Sequence, residues 1–379
     1  MRTALVNGRV LVGDKFVEGQ AVVIEKDRIV AVTSSADPQL SNATRHDLQG
    51  RLLLPGFIDT QVNGGGGALF NDAPSVDTIR KIAEAHRRFG TTGLLPTLIS
   101  DDLHVVARAI AAVRSAIEAG VPGVLGIHIE GPFLNVERKG IHNPTKLRDL
   151  DDGDLELLTS LKCGKTLVTL APEVTTPEII RKLSKAGVIV AAGHTNATYR
   201  QIREALEHGL TGFTHLFNAM SQLQGREPGV VGAALDDQHS WCGIIVDGRH
   251  VDPVALRLAL RCKPHDRFML ATDAMPGVGA SENTFQLQGR TITIVNGVCV
   301  DENGTLAGSN IDMAASVRNA TTLLGLSLPE AVRMASEYPA TFLGLRHQHG
   351  SIAAGYQADL VVADDDLNIV GTWIGGQPS

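Results

Sequence analysis

The sequence predicts an α/β fold, a (β/α)8 TIM-like barrel with a small β-sandwich domain formed by the two chain ends. Between Leu53 and Arg346, apolar strand-like runs alternate with amphipathic helical stretches, the pattern of a parallel sheet with crossover helices. Eight such runs occur in a row, and no G-x-G-x-x-G turn follows the first, which favours a closed barrel over an open dinucleotide-binding sheet. Both ends read differently, as short alternating strands with hairpin punctuation. The expected division is therefore a barrel over residues 53–346, with residues 1–52 and 347–379 forming the small β domain.

In chain order, Ala4–Val6, Ala21–Ile24 and Arg28–Val32 are short alternating runs broken by Asn7-Gly8, Gly13-Asp14 and Lys26-Asp27, which are turn signals. The barrel strands are expected at Leu53–Val62, Gly93–Ile99, Gly123–Glu130, Thr166–Ala171, Val188–His194, Gly212–Phe217, Trp241–Asp247 and Phe268–Asp273. Helical periodicity appears between them at Val76–Phe89, Leu103–Ala119, Pro177–Lys185, Thr198–Glu207 and Pro253–Arg261. Gly64–Gly67 lacks the lysine and helix start of a phosphate-binding loop and reads as a flexible loop. Residues Arg290–Val300 alternate about Asn296-Gly297, a hairpin expected beside the barrel mouth. Ile311–Leu324 and Pro329–Glu337 are expected to be helices that complete the wall, and the strands return with Ala358–Val362 and Gly371–Ile374.

Bulk composition narrows the function. With 43% apolar and 20% charged residues the 379-residue chain has an ordinary globular balance, and its formal net charge of −7 argues against a nucleic-acid or membrane-surface binder. An anionic ligand must then be met by a local basic site. No signal-peptide pattern opens the chain and no apolar run approaches a membrane span of roughly 18 residues, so the expected location is cytoplasmic. Cys163, Cys242, Cys262 and Cys299 show no paired spacing, which leaves them as free thiols.

In a β/α barrel, chemistry gathers at the C-terminal strand ends. The first run delivers Gln61 and Asn63, the third His128 and Glu130, the fifth His194 and the sixth His215. The seventh leads into Asp247-Gly248-Arg249-His250 and the eighth ends at Asp273. One strand-end histidine is more often a hydrogen-bonded core group than a ligand. Glu130, His194 and His215 together are the donor set of a catalytic divalent-metal site with a position left open for water. An ion held there lowers the pKa of water to about 7 in favourable cases. Asp273 is then expected to take the proton of the attacking water and pass it to the leaving group. His142, in Lys139-Gly140-Ile141-His142-Asn143-Pro144, either polarises a substrate oxygen or bonds to loop backbone, and spacing does not decide between these.

The segments Pro55–Asp59, His128–Asn135, Lys139–Pro144, Gly193–Ala197, Thr214–Met220, Arg226–Gly229, Asp247–His250 and Thr272–Ala274 together resemble the amidohydrolase superfamily, and within it the N-acetylglucosamine-6-phosphate deacetylase family. Pro-Gly-Phe-Ile-Asp marks only the superfamily, whereas His-Asn-Pro, His-Leu-Phe-Asn-Ala-Met and Arg-Glu-Pro-Gly are more specific. The resemblance spans nearly the whole barrel. It implies hydrolysis of the acetamide of N-acetylglucosamine 6-phosphate to acetate and glucosamine 6-phosphate. It further implies one divalent metal ion per subunit on Glu130, His194 and His215, Zn2+ in first place, with Fe2+, Co2+ or Mn2+ as alternatives. Asp273 would be the general acid/base, and His142 with the metal would stabilise the oxyanion. Arg226 and His250 match positions that meet the sugar phosphate, with Asn218 and the backbone of Ala219 assisting. The implied partners are a phosphorylated amino sugar and a second copy of the chain, in a homodimer whose phosphate site lies near the subunit interface.

One departure matters. Many superfamily members carry His-x-His after the first strand to hold a second metal, but this chain has Gln61-Val62-Asn63. Amides are poorer zinc ligands than imidazoles, so a single ion is expected, and the Gln-x-Asn form in a branch of this family goes with one metal. Gln61 is expected to touch the ion's water or to stand behind it, with Asn63 beside it. His128 shares the inward face with Glu130 and is expected to support the site without binding the metal. The competing readings are an amidohydrolase for another N-acyl substrate and a non-catalytic barrel scaffold. A serine or cysteine hydrolase is disfavoured, because no G-x-S-x-G occurs and no cysteine falls at an expected strand end.

Overall fold

The computed structural model describes residues 2–379. Eight parallel strands form the central sheet: β1 (Phe57–Val62), β2 (Thr91–Ile99), β3 (Gly126–Glu130), β4 (Lys165–Leu170), β5 (Ile189–Ala192), β6 (Leu210–Phe213), β7 (Trp241–Ile244) and β8 (Phe268–Leu270). Each pairs with the next in sequence, the order of a singly wound barrel. The ring closes where Val62 bridges Ala274 in parallel and Asn63 N–H donates to Ala274 C=O at 2.9 Å. Buried Asp59 reinforces this seam, accepting from Gln61 N–H and Thr272 N–H, each at 3.2 Å, and from the Thr272 hydroxyl. The motif aspartate of Pro55–Asp59 therefore joins β1 to β8.

The strands are apolar because both of their faces are covered. All nine residues of β2 are buried. On the inside, Ile58, Leu95, Leu167, Ala191 and Met269 meet Phe342 and Leu343, which plug one end of the barrel. Chemistry is thereby confined to the opposite, C-terminal end. On the outside, helices cover the sheet, started by side-chain caps of the expected kind: Ser75 accepts from Thr78 N–H, and Thr198 and Gln201 cap one another's backbone. The helix Gly229–Asp236 had no signal at the sequence level. Its run of Gly, Ala and Val is buried almost all round and so lacks helical periodicity.

Two expectations need correction. Leu53–Pro55 does not belong to the barrel, because strand Leu52–Pro55 pairs with Leu360–Ala363 and Arg9–Val12 in a six-stranded sheet, and the barrel begins at Phe57. A continuous apolar run cannot show that its two halves enter different sheets; Gly56 is the break. Gly64–Gly67 is also not an open loop: Gly64–Gly65 pairs with Ala68–Leu69, and a Cβ on Gly65 would strike the His86 ring.

The two chain ends meet as the hairpin-rich sequence implied. Arg2–Val6, Gln20–Glu25, Arg28–Ser34 and Thr44–Asp47 make a four-stranded sheet. Its core residues Leu5, Val22, Ile24 and Ile29 pack with Leu53, Leu360, Val362 and Trp373 of the six-stranded sheet. A further antiparallel sheet, Thr284–Leu287, Arg290–Val295, Val298–Val300 and Leu306–Ser309, projects beyond β8. Its Asn296-Gly297 turn has φ of 50° and 78°, as a tight Asn-Gly hairpin requires. Among the described residues no helix is long and apolar enough to cross a membrane.

Candidate active site

The last residue of β3, Glu130, is buried, and its Oε1 lies 3.0 Å from His215 Nε2 and 3.3 Å from His194 Nε2. The two imidazole nitrogens are themselves 3.0 Å apart. His194 and His215 follow β5 and β6 and take positive φ, 49° and 33°, as does Asp273 after β8, at 53°. Such backbone is costly for a residue with a Cβ and concentrates at functional sites. Here it turns three strand ends inward.

The tautomer of His194 follows from its contacts. Nδ1 is 2.8 Å from Arg138 C=O and must donate to it, which turns Nε2 toward Glu130. Burial opposes ionisation of Glu130, but the hydrogen bonds and charge of His194 and His215 outweigh it and hold the carboxyl well below its ordinary range. For His215 burial disfavours charge, while Glu130 reverses the balance and raises its pKa. Three such atoms converging at these distances are held together by shared protons or by a cation. Their ligand atoms all lie within 4.8 Å of one another, a set that fits one divalent ion bound by one carboxylate and two imidazoles.

Gln61 and Asn63 are turned as donors. Gln61 Nε2 bridges Glu130 Oε1 at 3.0 Å and Asp273 Oδ1 at 3.1 Å, and Asn63 Nδ2 donates to the same Asp273 oxygen at 2.6 Å. An amide N–H is no metal ligand, and it relieves repulsion between two buried carboxylates. With Oδ1 held by two amides, Asp273 keeps Oδ2 for proton transfer. Burial and then the charge of Glu130 raise the Asp273 pKa to about 6, so the group is mostly ionised at neutral pH and still close to it, as a general base should be. Asn63 Oδ1 is buried with no protein partner.

The ambiguity at His142 is resolved by Ser100, the residue that follows β2. His142 Nδ1 lies 2.7 Å from Ser100 Oγ and accepts from Ser100 N–H at 3.3 Å, so Nδ1 is the acceptor and Nε2 carries the hydrogen. Burial and the neighbouring His194 lower its pKa to about 3, which keeps the ring neutral. It is therefore a neutral N–H donor in the cavity wall. Gly131 protects this arrangement: its φ is 83°, and a Cβ there would overlap Ser100 Oγ. His128 is also neutral, its pKa lowered to about 4 by burial, but it reaches none of the three converging groups. Its Nε2 meets Thr169 Oγ1 at 2.7 Å in a network that continues to Thr214.

Glu130, His194, His215, Asp273, Asn63 and His142 line a cavity of about 360 Å³, within the roughly 300–1,000 Å³ of small-molecule sites. His250, Asn218 and Ala219 also line it. His250 Nδ1 is held by Asp247 Oδ2 at 2.6 Å, leaving Nε2 for a ligand. Asn218 donates to His215 C=O at 3.1 Å and so braces the loop that carries His215. Arg226 is the exception: it is exposed on the loop before helix Gly229–Asp236 and does not line the cavity.

Sequence reasoning missed Ser100 and Arg138. Ser100 follows the second strand, where the strand-end rule applies, but serine alone signals neither metal nor acid. Arg138 is the one arginine or lysine lining the cavity, and its position depends on how the loop after β3 curls back toward His194.

The amidohydrolase family pattern matches residues 52–378. The chain is 43% identical over 370 residues to an N-acetylgalactosamine-6-phosphate deacetylase of Shewanella sp. (strain ANA-3), covering 97% of this chain and 94% of that one. It superposes with a TM-score of 0.96 and 38% identity on the crystal structure of N-acetylglucosamine-6-phosphate deacetylase from Pasteurella multocida, with 100% of both chains covered. It also superposes, with a TM-score of 0.90 and 36% identity, on a mutant N-acetyl-D-glucosamine-6-phosphate deacetylase from Mycobacterium smegmatis in complex with N-acetyl-D-glucosamine-6-phosphate, covering 100% of this chain and 98% of that one.

Proposed function

The chain belongs to the amidohydrolase family, and from that premise we propose that it hydrolyses the acetamide of N-acetylglucosamine 6-phosphate to acetate and glucosamine 6-phosphate. The observation that carries this reading is the convergence of Glu130, His194 and His215, linked through Gln61 to Asp273, in one cavity with His142. Glu130, His194 and His215 would hold a divalent cation, which would supply Lewis acidity toward the acetyl carbonyl and lower the pKa of water to about 7 in favourable cases. Asp273 Oδ2 accepts the proton of the attacking water and delivers it to the departing amine nitrogen. His142 Nε2–H donates to the carbonyl oxygen as negative charge develops there. Zinc is the first expectation for the ion and iron, cobalt or manganese the alternatives, since this donor set takes all four. The amide donors of Gln61 and Asn63, already engaged on carboxylates, support a single ion per subunit.

The phosphate is assigned to His250 and Arg226, with Asn218 and Ala219 along the sugar. Arg226 stands exposed outside the cavity of its own chain, which supports a homodimer in which it reaches the phosphate of the neighbouring subunit. Arg226→Ala is expected to raise KM for the phosphorylated sugar about 10- to 100-fold, the worth of a charge-assisted hydrogen bond, without affecting the unphosphorylated one. An unchanged KM would point to a different N-acyl substrate. A sugar phosphate is charged and does not cross membranes unaided, which supports a cytoplasmic location. We also read the chain as two units, the barrel and a β-sandwich of both ends, with the first boundary moved to Phe57.

A second reading has a specific observation behind it: the relative at 43% identity is named for N-acetylgalactosamine 6-phosphate. The deciding experiment compares N-acetylglucosamine 6-phosphate, N-acetylgalactosamine 6-phosphate and unphosphorylated N-acetylglucosamine on one preparation with its metal content measured. A higher kcat/KM for the galacto sugar would transfer the assignment to that epimer, and no turnover of any of the three would end the deacetylase reading.

A further inference from the structure

Gln288 lies at the tip of the hairpin between Thr284–Leu287 and Arg290–Val295, where it and Gly289 take φ of 50° and 83°. Such turns favour Gly, Asn or Asp, so a longer amide in left-handed backbone asks for a reason. Its contacts supply one. Gln288 Nε2 donates to Ser100 C=O at 2.8 Å, and its Oε1 accepts from Asn143 N–H at 3.1 Å. Ser100 is the residue whose N–H and hydroxyl hold His142 Nδ1, and Asn143 directly follows His142. The adjacent Leu287 is anchored in an apolar cluster with Leu69, Ile99 and Met275, with Ile141 packed against it. One side-chain amide thus ties the projecting sheet to both sides of His142.

We propose that Gln288 is a positioning residue for the reaction, setting the place and tautomer of His142 through Ser100 and Asn143. This rests on the reading of His142 as the oxyanion donor. The hydrogen bonds run in one direction: Gln288 N–H to Ser100 C=O, Ser100 N–H and O–H to His142 Nδ1, leaving His142 Nε2–H for the substrate oxygen. The projecting sheet therefore acts on chemistry as well as walling the mouth, which it lines with Leu306 and Gly308.

The test is a double-mutant cycle on the full-length, metal-loaded protein with N-acetylglucosamine 6-phosphate. His142→Ala is expected to lower kcat about 10²- to 10³-fold, as for loss of one oxyanion donor. Gln288→Ala is expected to lower kcat about tenfold with KM within about twofold, because it displaces the donor without removing it. The double variant should be no slower than His142→Ala alone, since Gln288 acts only through that ring. Gln288→Glu retains the acceptor for Asn143 and the hairpin packing but loses the donor to Ser100. It should reproduce the kcat loss while the protein remains folded at the assay temperature by circular dichroism, which separates positioning from folding. Effects that multiply in the double variant, or full kcat in both Gln288 variants, overturn the proposal. An unchanged kcat in His142→Ala alone overturns the reading of His142 itself, a result distinct from a crippled His142→Ala beside a silent Gln288→Ala.

Discussion

Asp273→Asn is expected to lower kcat by about 10³-fold or more while metal content stays at the wild-type level, an effect toward the upper end of what acid/base groups contribute. The substitution is nearly isosteric, and an asparagine can keep its carbonyl oxygen where Gln61 Nε2 and Asn63 Nδ2 donate to Asp273 Oδ1. It removes only the second oxygen, the one left to accept a proton. Because one group serves both water activation and protonation of a poor amine leaving group, both steps fail together. Steady-state kinetics beside elemental analysis of the same sample checks this. Near-normal turnover in that variant removes Asp273 from the role.

Glu130→Gln should lose metal and activity together. Glu130 is the only carboxylate in the converging set, and its neighbours are arranged around its charge: Gln61 donates to it, and His215 is drawn toward protonation by it. A glutamine there offers at best a neutral oxygen, and its amide N–H would face Gln61 Nε2 or His215 Nε2, donors or lone pairs placed for a carboxylate. Changes to groups that merely support a ligand cost roughly 10- to 100-fold in metal affinity, so loss of a ligand should exceed that. Metal titration by calorimetry, with activity followed across added metal, reads the effect directly. A Glu130→Gln protein that retained both metal and turnover would refute this assignment of the site.

The two variants fail differently, which makes them informative together. Asp273→Asn separates chemistry from metal binding, whereas Glu130→Gln joins them. If both lost metal, Asp273 would have to be counted among the ligands.

The sequence by itself determined the alternation of strands and helices, the strand ends on which Glu130, His194, His215 and Asp273 stand, and the strand-rich character of the two chain ends. These are local or periodic properties: a barrel strand buried on both faces must be apolar throughout, and a polar residue at its end is conspicuous. Tertiary structure alone decided the rest. Leu52–Pro55 and Phe57–Val62 are equally buried, and only the partners available across Gly56 send them to different sheets. The role of His142 depends on which of its nitrogens is occupied, and the occupant, Ser100, is 42 residues away. Gln61 and Asn63 could have faced the metal with oxygen or the carboxylates with nitrogen, and the nearness of Glu130 to Asp273 chose the nitrogen. Arg226 carries a charge visible in the sequence, but whether it serves its own cavity depends on where its loop lies. Residue types and their period follow from local burial, whereas hydrogen-bond direction is set by partners that only the closed barrel brings within 3 Å or so.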